Sequence, residues 1–319
     1  MDEGQDRSGE AVVDEGRDGP GAPVVNEAQE ESGGPVTVRG ERLARAVEAL
    51  GLSGRPVLVH ASLRSFGAPL DGGADSLVDA LLGAGCTVLV PAFTEPWHSV
   101  PPPASDRPAR NGLDYTLPYR EAGHALSTPY APDCGLVNPS LGVLPVTVVA
   151  RPGTRRGRHP LNSFAALGPE AAALIDGQDP GDVYAPLRAL AERGGRTLLI
   201  GVGLNRMTTL HLAEQRSGRR LFRRWARLDD GRIATVEVGS CSEGFPRLEP
   251  WLRPHARTTI VHGSRWHAYP VPEVLATIAP ALAAAPTLTR CSADCRACAD
   301  ATAGGPVDAY PGTGVVLPG

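Results

Sequence analysis

The sequence predicts an α/β fold, and three features of the chain predict it. Short apolar runs typical of buried strands recur along the chain, amphipathic helical patterns lie between them, and a polar, glycine-bearing loop follows the first strand. The order strand, loop, helix, strand is that of a βαβ unit. Loops of such units collect at the carboxyl ends of the strands, where α/β sheets bind ligands, so we expect a site at that edge.

In the first half of the chain, a helical pattern of apolar residues begins at Val38 and ends at Gly51. The predicted elements that follow are a strand over 56–60, a polar loop over 61–67, a helix over 74–82 and a strand over 86–90. From Pro91 to Pro145 the periodicity is lost and the chain is rich in Pro, Asp, Tyr and His. An irregular stretch of this length usually carries function.

The second half returns to alternating apolar runs and helical patterns. We predict strands over 146–150, 196–200, 233–238 and 258–262, and helices over 170–175, 186–193 and 271–284, with a further helix beginning near Thr208. A dense basic segment covers 216–227. These elements extend the α/β pattern to the end of the predicted fold.

All 31 basic residues are arginine, which excludes a Schiff-base lysine and a phosphate-loop lysine. The net charge is −4, but residues 1–35 carry ten acidic and only two basic residues. The remainder is therefore mildly positive, which suits an anionic ligand such as a nucleotide-bearing cofactor. No basic stripe is interleaved with aromatic residues, so we expect no nucleic-acid partner.

The composition divides the chain into three parts. The acidic, glycine-rich residues 1–35 have no periodic apolar face and are predicted to be disordered. Residues 36–290 form the main domain, and residues 291–319 form a cysteine-containing extension. Residues 1–35 lack the apolar core that a signal peptide has. No later stretch reaches the roughly 18 to 20 apolar residues of a membrane helix. We therefore expect a cytoplasmic protein without membrane contact.

His159 is the first candidate for a chemical role. Pro160 forces it into extended or turn geometry, so the imidazole lies on a loop, where functional groups often occur. A structural histidine is the alternative. The second candidate is the pair His211 and Glu214, which are three residues apart and project from one helix face. That carboxylate could orient an imidazole and raise its basicity, or it could be a solvated surface residue.

The loop from Ser62 to Gly67 offers hydroxyl and backbone N–H groups at a strand end, which suit phosphate oxygens. It contains no common nucleotide fingerprint, and a plain turn is the alternative. Three thiols lie within eight residues near the end of the chain, and a fourth lies in a glycine-flanked turn: Cys291, Cys295, Cys298 and Cys241. This spacing favours metal ligands over disulfides, which makes these residues candidates for a structural zinc site, with reduced free thiols as the alternative.

In this order, the motifs resemble the aminoglycoside 3-N-acetyltransferases, also called antibiotic N-acetyltransferases. The matching segments are 59–67 with Gly72 and Gly73, 90–94, 127–129, 151–168 and 199–214, and the resemblance covers about 38–284. It implies a central mixed β-sheet flanked by helices, distinct from the GNAT acetyltransferases, with acetyl-CoA as co-substrate and no metal in catalysis. One departure is Gly157, where the family usually has serine, so a hydroxyl contact is in question.

The resemblance also implies roles for individual residues. The family's histidine falls on His159 and its helix glutamate on Glu214, so we expect His159 to act as a base oriented by Glu214. The residues expected to bind acetyl-CoA are Ser62, Leu63, Arg64, Ser65, Gly67, Gly72, Gly73 and Thr94. Those expected to bind a polycationic aminoglycoside are Glu95, Asp114, Asp133 and His211.

The predicted activity is direct acetyl transfer, in a ternary complex, to the 3-amino group of the antibiotic, with resistance as the result. One alternative is acetylation of another amine in a biosynthetic pathway. A second is a protein that sequesters the antibiotic without chemistry. A homodimer is a further expectation.

Overall fold

The computed structural model describes residues 37–103, 105, 107–115, 129–228 and 230–302. The predicted disordered tail, residues 1–35, lies outside the described residues, as do residues 303–319 of the cysteine-containing extension. Part of the family motif at 127–129 also falls outside them. Among the described helices, none is long and apolar enough to cross a membrane.

The described helices and strands are interspersed along the chain. The helices are α1 (Gly40–Ala49), α2 (Gly73–Gly83), α3 (Glu95–His98), α4 (Val143–Ala150), α5 (Ala171–Ile175), α6 (Ala185–Glu192), α7 (Thr209–Arg216), α8 (Glu249–Leu252), α9 (Val271–Ala284) and α10 (Arg296–Thr302). The strands are β1 (Pro56–Ala61), β2 (Thr87–Pro91), β3 (Ser99–Val100), β4 (Arg155–Arg156), β5 (Phe164–Leu167), β6 (Arg196–Ile200), β7 (Phe222–Arg227), β8 (Ile233–Val238), β9 (Arg257–Val261) and β10 (Ser264–Pro270).

Seven strands form the main sheet in the order β4-β5-β2-β1-β6-β10-β9. Strand β1 is parallel to β2 and β6, and the outer pairs are antiparallel. The predicted mixed α/β fold is therefore confirmed. The parallel centre brings the carboxyl ends of β1, β2 and β6 to one edge of the sheet.

Successive side chains of a strand point to opposite faces of a sheet, and this alternation builds two cores. Leu58 and Leu199 face the core covered by α5, α6, α7 and α9. Their neighbours Val59 and Ile200 face the core covered by α1, α2 and α4. Burial on both faces explains why the central strands appear in the sequence as continuous apolar runs.

The strand predicted over 146–150 is wrong, because these residues belong to helix α4. Leu144 and Val148, four residues apart, are buried, whereas Val146 between them is 44% exposed. A short, wholly apolar run does not reveal its period, and here the helical spacing of the buried residues decides its structure. Strand β10 was not predicted; in it, polar Arg265 and His267 alternate with buried residues.

A second sheet has the order β3-β7-β8 and stands apart from the main one. Its strand β7 lies within the basic segment 216–227, where charge concealed the strand pattern. The end of β8 leads to Gly239 and Ser240, which both line the cavity described below. The second sheet thus supplies one wall of that cavity.

Candidate active site

A cavity of about 350 Å³ lies at the carboxyl ends of β1, β2 and β6. Its walls come from the loops after these strands, from helix α7 and from the end of β8. Polar lining residues include His60, Glu95, Asn162, Arg206, His211 and Ser240. Its volume is within the range of small-molecule sites, and its position is that expected for an α/β sheet.

His211, on α7, presents its ring to this cavity. The Nδ1–H donates a hydrogen bond to Glu214 Oε2 at 2.9 Å. The ring is stacked with Tyr184, with centroids 6.3 Å apart, and packs against Phe245 at 4.8 Å. With Nδ1 as the donor, Nε2 carries the lone pair, and no described side chain or backbone group hydrogen-bonds it. The imidazole is therefore held in one tautomer with its basic nitrogen unpaired.

Glu214 is buried, and four groups fix its carboxylate. Besides His211, Ser240 Oγ donates to Oε2 at 3.2 Å, Thr289 Oγ1 donates to Oε1 at 3.1 Å, and Arg219 forms an ion pair with Oε1. A buried carboxylate without such partners would be costly. Here its direction, and hence that of the imidazole, is set by the surrounding structure.

The predicted pairing of His159 with Glu214 is wrong. His159 is fully buried and is not among the residues that line the cavity. Its Nε2–H donates to the backbone oxygen of Glu237 at 2.8 Å, and its Nδ1 accepts from the Asn162 N–H at 2.9 Å. Burial lowers the pKa of His159 to about 4. With both ring nitrogens occupied, this imidazole connects the loop to β8 and has no nitrogen left for a substrate amine.

Thr94 does not fit the cofactor role predicted for it. Its side chain is fully buried, and its hydroxyl donates to the backbone oxygen of Pro160. This bond joins the end of β2 to the His159 loop. The hydroxyl is therefore unavailable to a thioester oxygen.

The other predicted cofactor residues lie beside the end of β1, outside the lining of the cavity. Leu63, Arg64 and Ser65 belong to the 3-10 helix Leu63–Phe66, which Ser62 precedes and Gly67 ends. Ser65 Oγ donates to the backbone oxygen of Ser62 at 2.6 Å and lies 2.7 Å from Ser264 Oγ. Gly72 and Gly73, both exposed and with positive φ, stand at the start of α2. Binding of acetyl-CoA by this loop stays a prediction.

Of the three acids predicted to bind substrate, only Glu95 lines the cavity. It accepts a hydrogen bond from Asn162 Nδ2, and burial raises the pKa of Glu95. Asp114 instead forms an ion pair with Arg296 at 3.5 Å, and Asp133 is exposed outside the cavity. The structure thus does not bring Asp114 and Asp133 to this cavity, and substrate binding by them stays a prediction. An irregular stretch gives no period from which the inward-facing acids can be identified.

His60, to which no role was predicted, lines the cavity from the end of β1. Burial, and then the nearby Arg206, lowers the pKa of His60 to about 3, and its Nε2 accepts from the Thr208 N–H at 3.4 Å. Its position could have been predicted, because His60 is a polar residue at the end of a buried strand. The missed lining residues Tyr184, Arg206 and Arg224 carried no such sign.

The four predicted metal-ligating cysteines come together in space. The sulfur atoms of Cys241, Cys291, Cys295 and Cys298 all lie within 4.8 Å of one another. The Sγ atoms of Cys241 and Cys291 are 3.7 Å apart, and those of Cys291 and Cys298 are 3.5 Å apart. This group, called the thiol cluster below, joins the loop after β8 to the segment before α10.

An oriented imidazole–carboxylate pair that lines a cavity at the strand ends of an α/β sheet has the geometry that a general base requires. A sequence model described as aminoglycoside 3-N-acetyltransferase matches residues 58–282. The chain therefore belongs to the aminoglycoside 3-N-acetyltransferase family, a family of transferases.

Individual relatives agree with this membership. The chain is 34% identical over 215 residues to aminoglycoside N(3)-acetyltransferase VIII of Streptomyces fradiae, covering 60% of this chain and 71% of that protein. It is 36% identical over 184 residues to aminoglycoside N(3)-acetyltransferase IX of Micromonospora chalcea, covering 56% and 62%. These matches thus span between about three fifths and seven tenths of the relatives' lengths.

Solved structures share the fold. The apoenzyme of aminoglycoside acetyltransferase AAC(3)-IVa superimposes with a TM-score of 0.66 at 27% identity, covering 86% of this chain and all of that one. A histidine-to-alanine mutant of AAC(3)-IVa in complex with a gentamicin gives the same TM-score and identity, covering 84% and 98%.

Proposed function

We propose that this protein transfers the acetyl group of acetyl-CoA to the 3-amino group of an aminoglycoside antibiotic, and thereby confers resistance. The observation that carries the proposal is the hydrogen bond between His211 and Glu214 in a member of this family. The His211 ring lines the cavity, and its Nε2 is unpaired. Acetylation removes a positive charge from the antibiotic, and with it a group that can bind RNA phosphates.

His211 is the general base of this mechanism. An aminoglycoside amine is mostly protonated at neutral pH and must lose a proton before it attacks the thioester carbonyl. Nε2 accepts that proton, while Glu214 stabilises the imidazolium that forms. The new C–N bond forms, the C–S bond breaks, and the proton held on His211 is available to the departing thiolate. The base and the two substrates act in one ternary complex.

Glu95 is the residue we assign to the cationic substrate. It is the only acid among the described residues that line the cavity. An ammonium group beside it would compensate the cost of keeping its buried carboxylate charged. The relative AAC(3)-IVa was solved in complex with a gentamicin and with apramycin, which supports an aminoglycoside as the substrate class.

The acetyl-CoA site is assigned to the loop after β1 and the start of α2. Ser62, Leu63, Arg64, Ser65 and Gly67 lie at the carboxyl end of the strand, where a pyrophosphate can meet N–H groups and a cation. Arg64 is exposed at this point. We expect Arg64→Ala to raise the KM for acetyl-CoA about threefold, because a solvent-exposed charge contact contributes little. Arg64→Lys, which keeps the charge, should recover most of the affinity.

The thiol cluster is assigned a structural zinc ion. Four sulfur atoms about 2.3 Å from a tetrahedral zinc lie about 3.8 Å apart, close to the separations of 3.5 and 3.7 Å in the cluster. A disulfide would need a separation of about 2.05 Å. A closed site with four thiolates leaves no open position, so it takes no part in acetyl transfer.

The test of the proposed function is an assay of thiol release with acetyl-CoA and a panel of aminoglycosides. We expect release that depends on the antibiotic, and a product acetylated on the 3-amino group by NMR. Turnover with other amines only would favour the biosynthetic alternative. Antibiotic binding by calorimetry without any dependence on CoA would favour sequestration. Light scattering of the same sample tests the proposed homodimer.

A further inference from the structure

We propose that metal binding by the thiol cluster positions the catalytic base, because each of the two segments that the cluster joins donates a hydrogen bond to Glu214. The metal is zinc or another soft divalent cation that prefers thiolates. The test of this inference by kcat rests on the proposed function, whereas its test by NMR of the His211 ring does not.

The first connection runs through Ser240, the neighbour of Cys241 in the chain. Ser240 Oγ donates to Glu214 Oε2, the oxygen that also accepts from His211. The preceding residue, Gly239, lies so close to the ring that an added Cβ would stand 3.4 Å from His211 and would clash with the hydroxyl of Tyr184. A shift of this loop would therefore move both the carboxylate contact and the wall behind the imidazole.

The second connection runs through Thr289, two residues before Cys291. This side chain is 2% exposed, and its hydroxyl donates to Glu214 Oε1 at 3.1 Å. Arg219 Nη1 donates to the same hydroxyl at 2.8 Å while it pairs with Glu214. Each carboxylate oxygen is thus held by one segment of the cluster, Oε2 through Ser240 and Oε1 through Thr289.

The two segments also contact each other directly. Gly244, in the loop after Cys241, lies so close to the backbone oxygen of Thr289 that an added Cβ would overlap it. The Cys298 Sγ lies 4.0 Å from the same oxygen. A bond through metal between Cys241 and Cys291 closes a loop of about fifty residues at this contact.

The chain after α9 has little apolar burial, and its other described attachments are polar contacts such as the ion pair of Asp300 with Arg110 and the hydrogen bond that Arg219 donates to the backbone oxygen of Pro286. Between α9 and residue 302, the described residues that are fully buried are Thr289, Cys298, Asp300 and Ala301. Only Ala301 belongs to an apolar cluster of buried residues. Because apolar burial in this segment is small, metal ligation would add to these polar contacts in ordering it.

Thr289 is therefore a positioning residue, and it can be tested without disturbing the cysteines. Thr289→Val keeps the shape but removes the hydroxyl, whereas Thr289→Ser keeps the hydroxyl. We expect Thr289→Val to lower kcat roughly tenfold, with little change in KM, and to change the acidic limb of kcat against pH. Thr289→Ser should restore both, a rescue that a purely structural role would not produce.

The metal itself is tested on protein purified without a histidine tag. We expect about one zinc per chain by mass spectrometry. Its removal with a chelator should lower kcat and change the pH profile as Thr289→Val does, and added zinc should reverse both. Cys134→Ala, which alters a cysteine outside the cluster, is the matched control and should keep both metal and rate. Circular dichroism checks that the stripped protein keeps its fold.

Side-chain NMR of protein labelled with ¹⁵N-histidine gives a result that does not depend on turnover. The His211 imidazole signals, assigned by their loss in His211→Asn, should move when zinc is removed. If zinc binds and its removal leaves these signals, kcat and the pH profile unchanged in folded protein, the inference is overturned. Absence of metal binding overturns it as well. Absence of turnover with every amine, with the NMR shift present, would instead reject the proposed function alone.

Discussion

His159 and His211 both lie in polar motifs of the family match, yet their surroundings differ in every respect that matters for catalysis. His159 is completely buried, and backbone groups occupy both of its ring nitrogens. His211 has one nitrogen bonded to a carboxylate and lines the cavity with its ring. A catalytic base needs an unpaired nitrogen and a partner that stabilises its charged form, and only His211 has both.

The largest expected effect follows removal of the imidazole that lines the cavity. We expect His211→Ala to lower kcat by about 1,000-fold, within the range for loss of a general base, while the protein stays folded. Steady-state thiol release measures this. His255→Ala is the control, since this ring bonds Thr277 away from the cavity and should leave the rate unchanged. A rate in His211→Ala close to that of the native protein would contradict the assignment of His211, and not His159, as the base.

The second effect concerns the partner of that imidazole. Glu214→Gln keeps the shape of the side chain and removes its charge, so we expect kcat to fall roughly 30-fold. The loss should appear in kcat rather than in KM, because the carboxylate acts on the base and not on the bound substrate. The exposed Glu192→Gln serves as the control for removal of a carboxylate. A kcat in Glu214→Gln close to that of the native protein would argue against the orienting role.

The third effect separates stability from activity at His159. We expect His159→Ala to lower the free energy of unfolding by about 3 kcal/mol, because a cavity forms and the backbone groups that bonded the ring lose their partner. Urea unfolding measures this loss. The kcat of the folded fraction should stay within about threefold of the native value. A folded His159→Ala variant with a 1,000-fold loss of rate would show that this imidazole has a catalytic role.

The fourth effect is the dependence of stability on pH. Burial lowers the pKa of His159 to about 4, whereas an unfolded histidine titrates near 6.5. The unfolded state thus binds more protons between these values, so stability is complete above pH 6.5 and is lost as the pH falls to about 4. Between pH 7.5 and 5 this group should cost about 2 kcal/mol.

This loss can be assigned to one residue by measuring the free energy of unfolding at both pH values. His159→Gln lacks the titrating ring and should lose about 2 kcal/mol less than the native protein over the same interval. His60, with a pKa of about 3, adds a similar dependence that both proteins share. Equal losses in the two proteins would contradict the buried, neutral state of His159.

Much of the fold was predictable, because in many segments the periodicity of apolar residues matches the side chains that the tertiary structure buries. The helix over 271–284 and the strands over 196–200 and 233–238 have the bounds read from the sequence. The failures have a physical cause. The apolar run at 146–150 fits either period, and the basic residues of β7 mask a strand whose buried side chains include Phe222 and Trp225.

The site was only partly predictable. The spacing of His211 and Glu214 placed them on one face, so their hydrogen bond followed from local geometry. The burial of His159 did not follow from local geometry. Pro160 indicates that His159 lies on a loop, but it does not indicate which residues cover that loop. Glu237, which accepts the bond from His159, lies 78 residues further along the chain. A contact of that kind depends on how the second sheet packs, which no local pattern encodes.

The most direct test of which histidine is the base is chemical modification in the native protein. Diethyl pyrocarbonate acylates accessible, neutral imidazoles, and mass spectrometry of the digested protein identifies the modified peptide. We predict that loss of acetyl transfer follows modification of His211, that an aminoglycoside slows both, and that His159 stays unmodified. Inactivation that followed modification of His159, or full activity with His211 completely modified, would contradict the account.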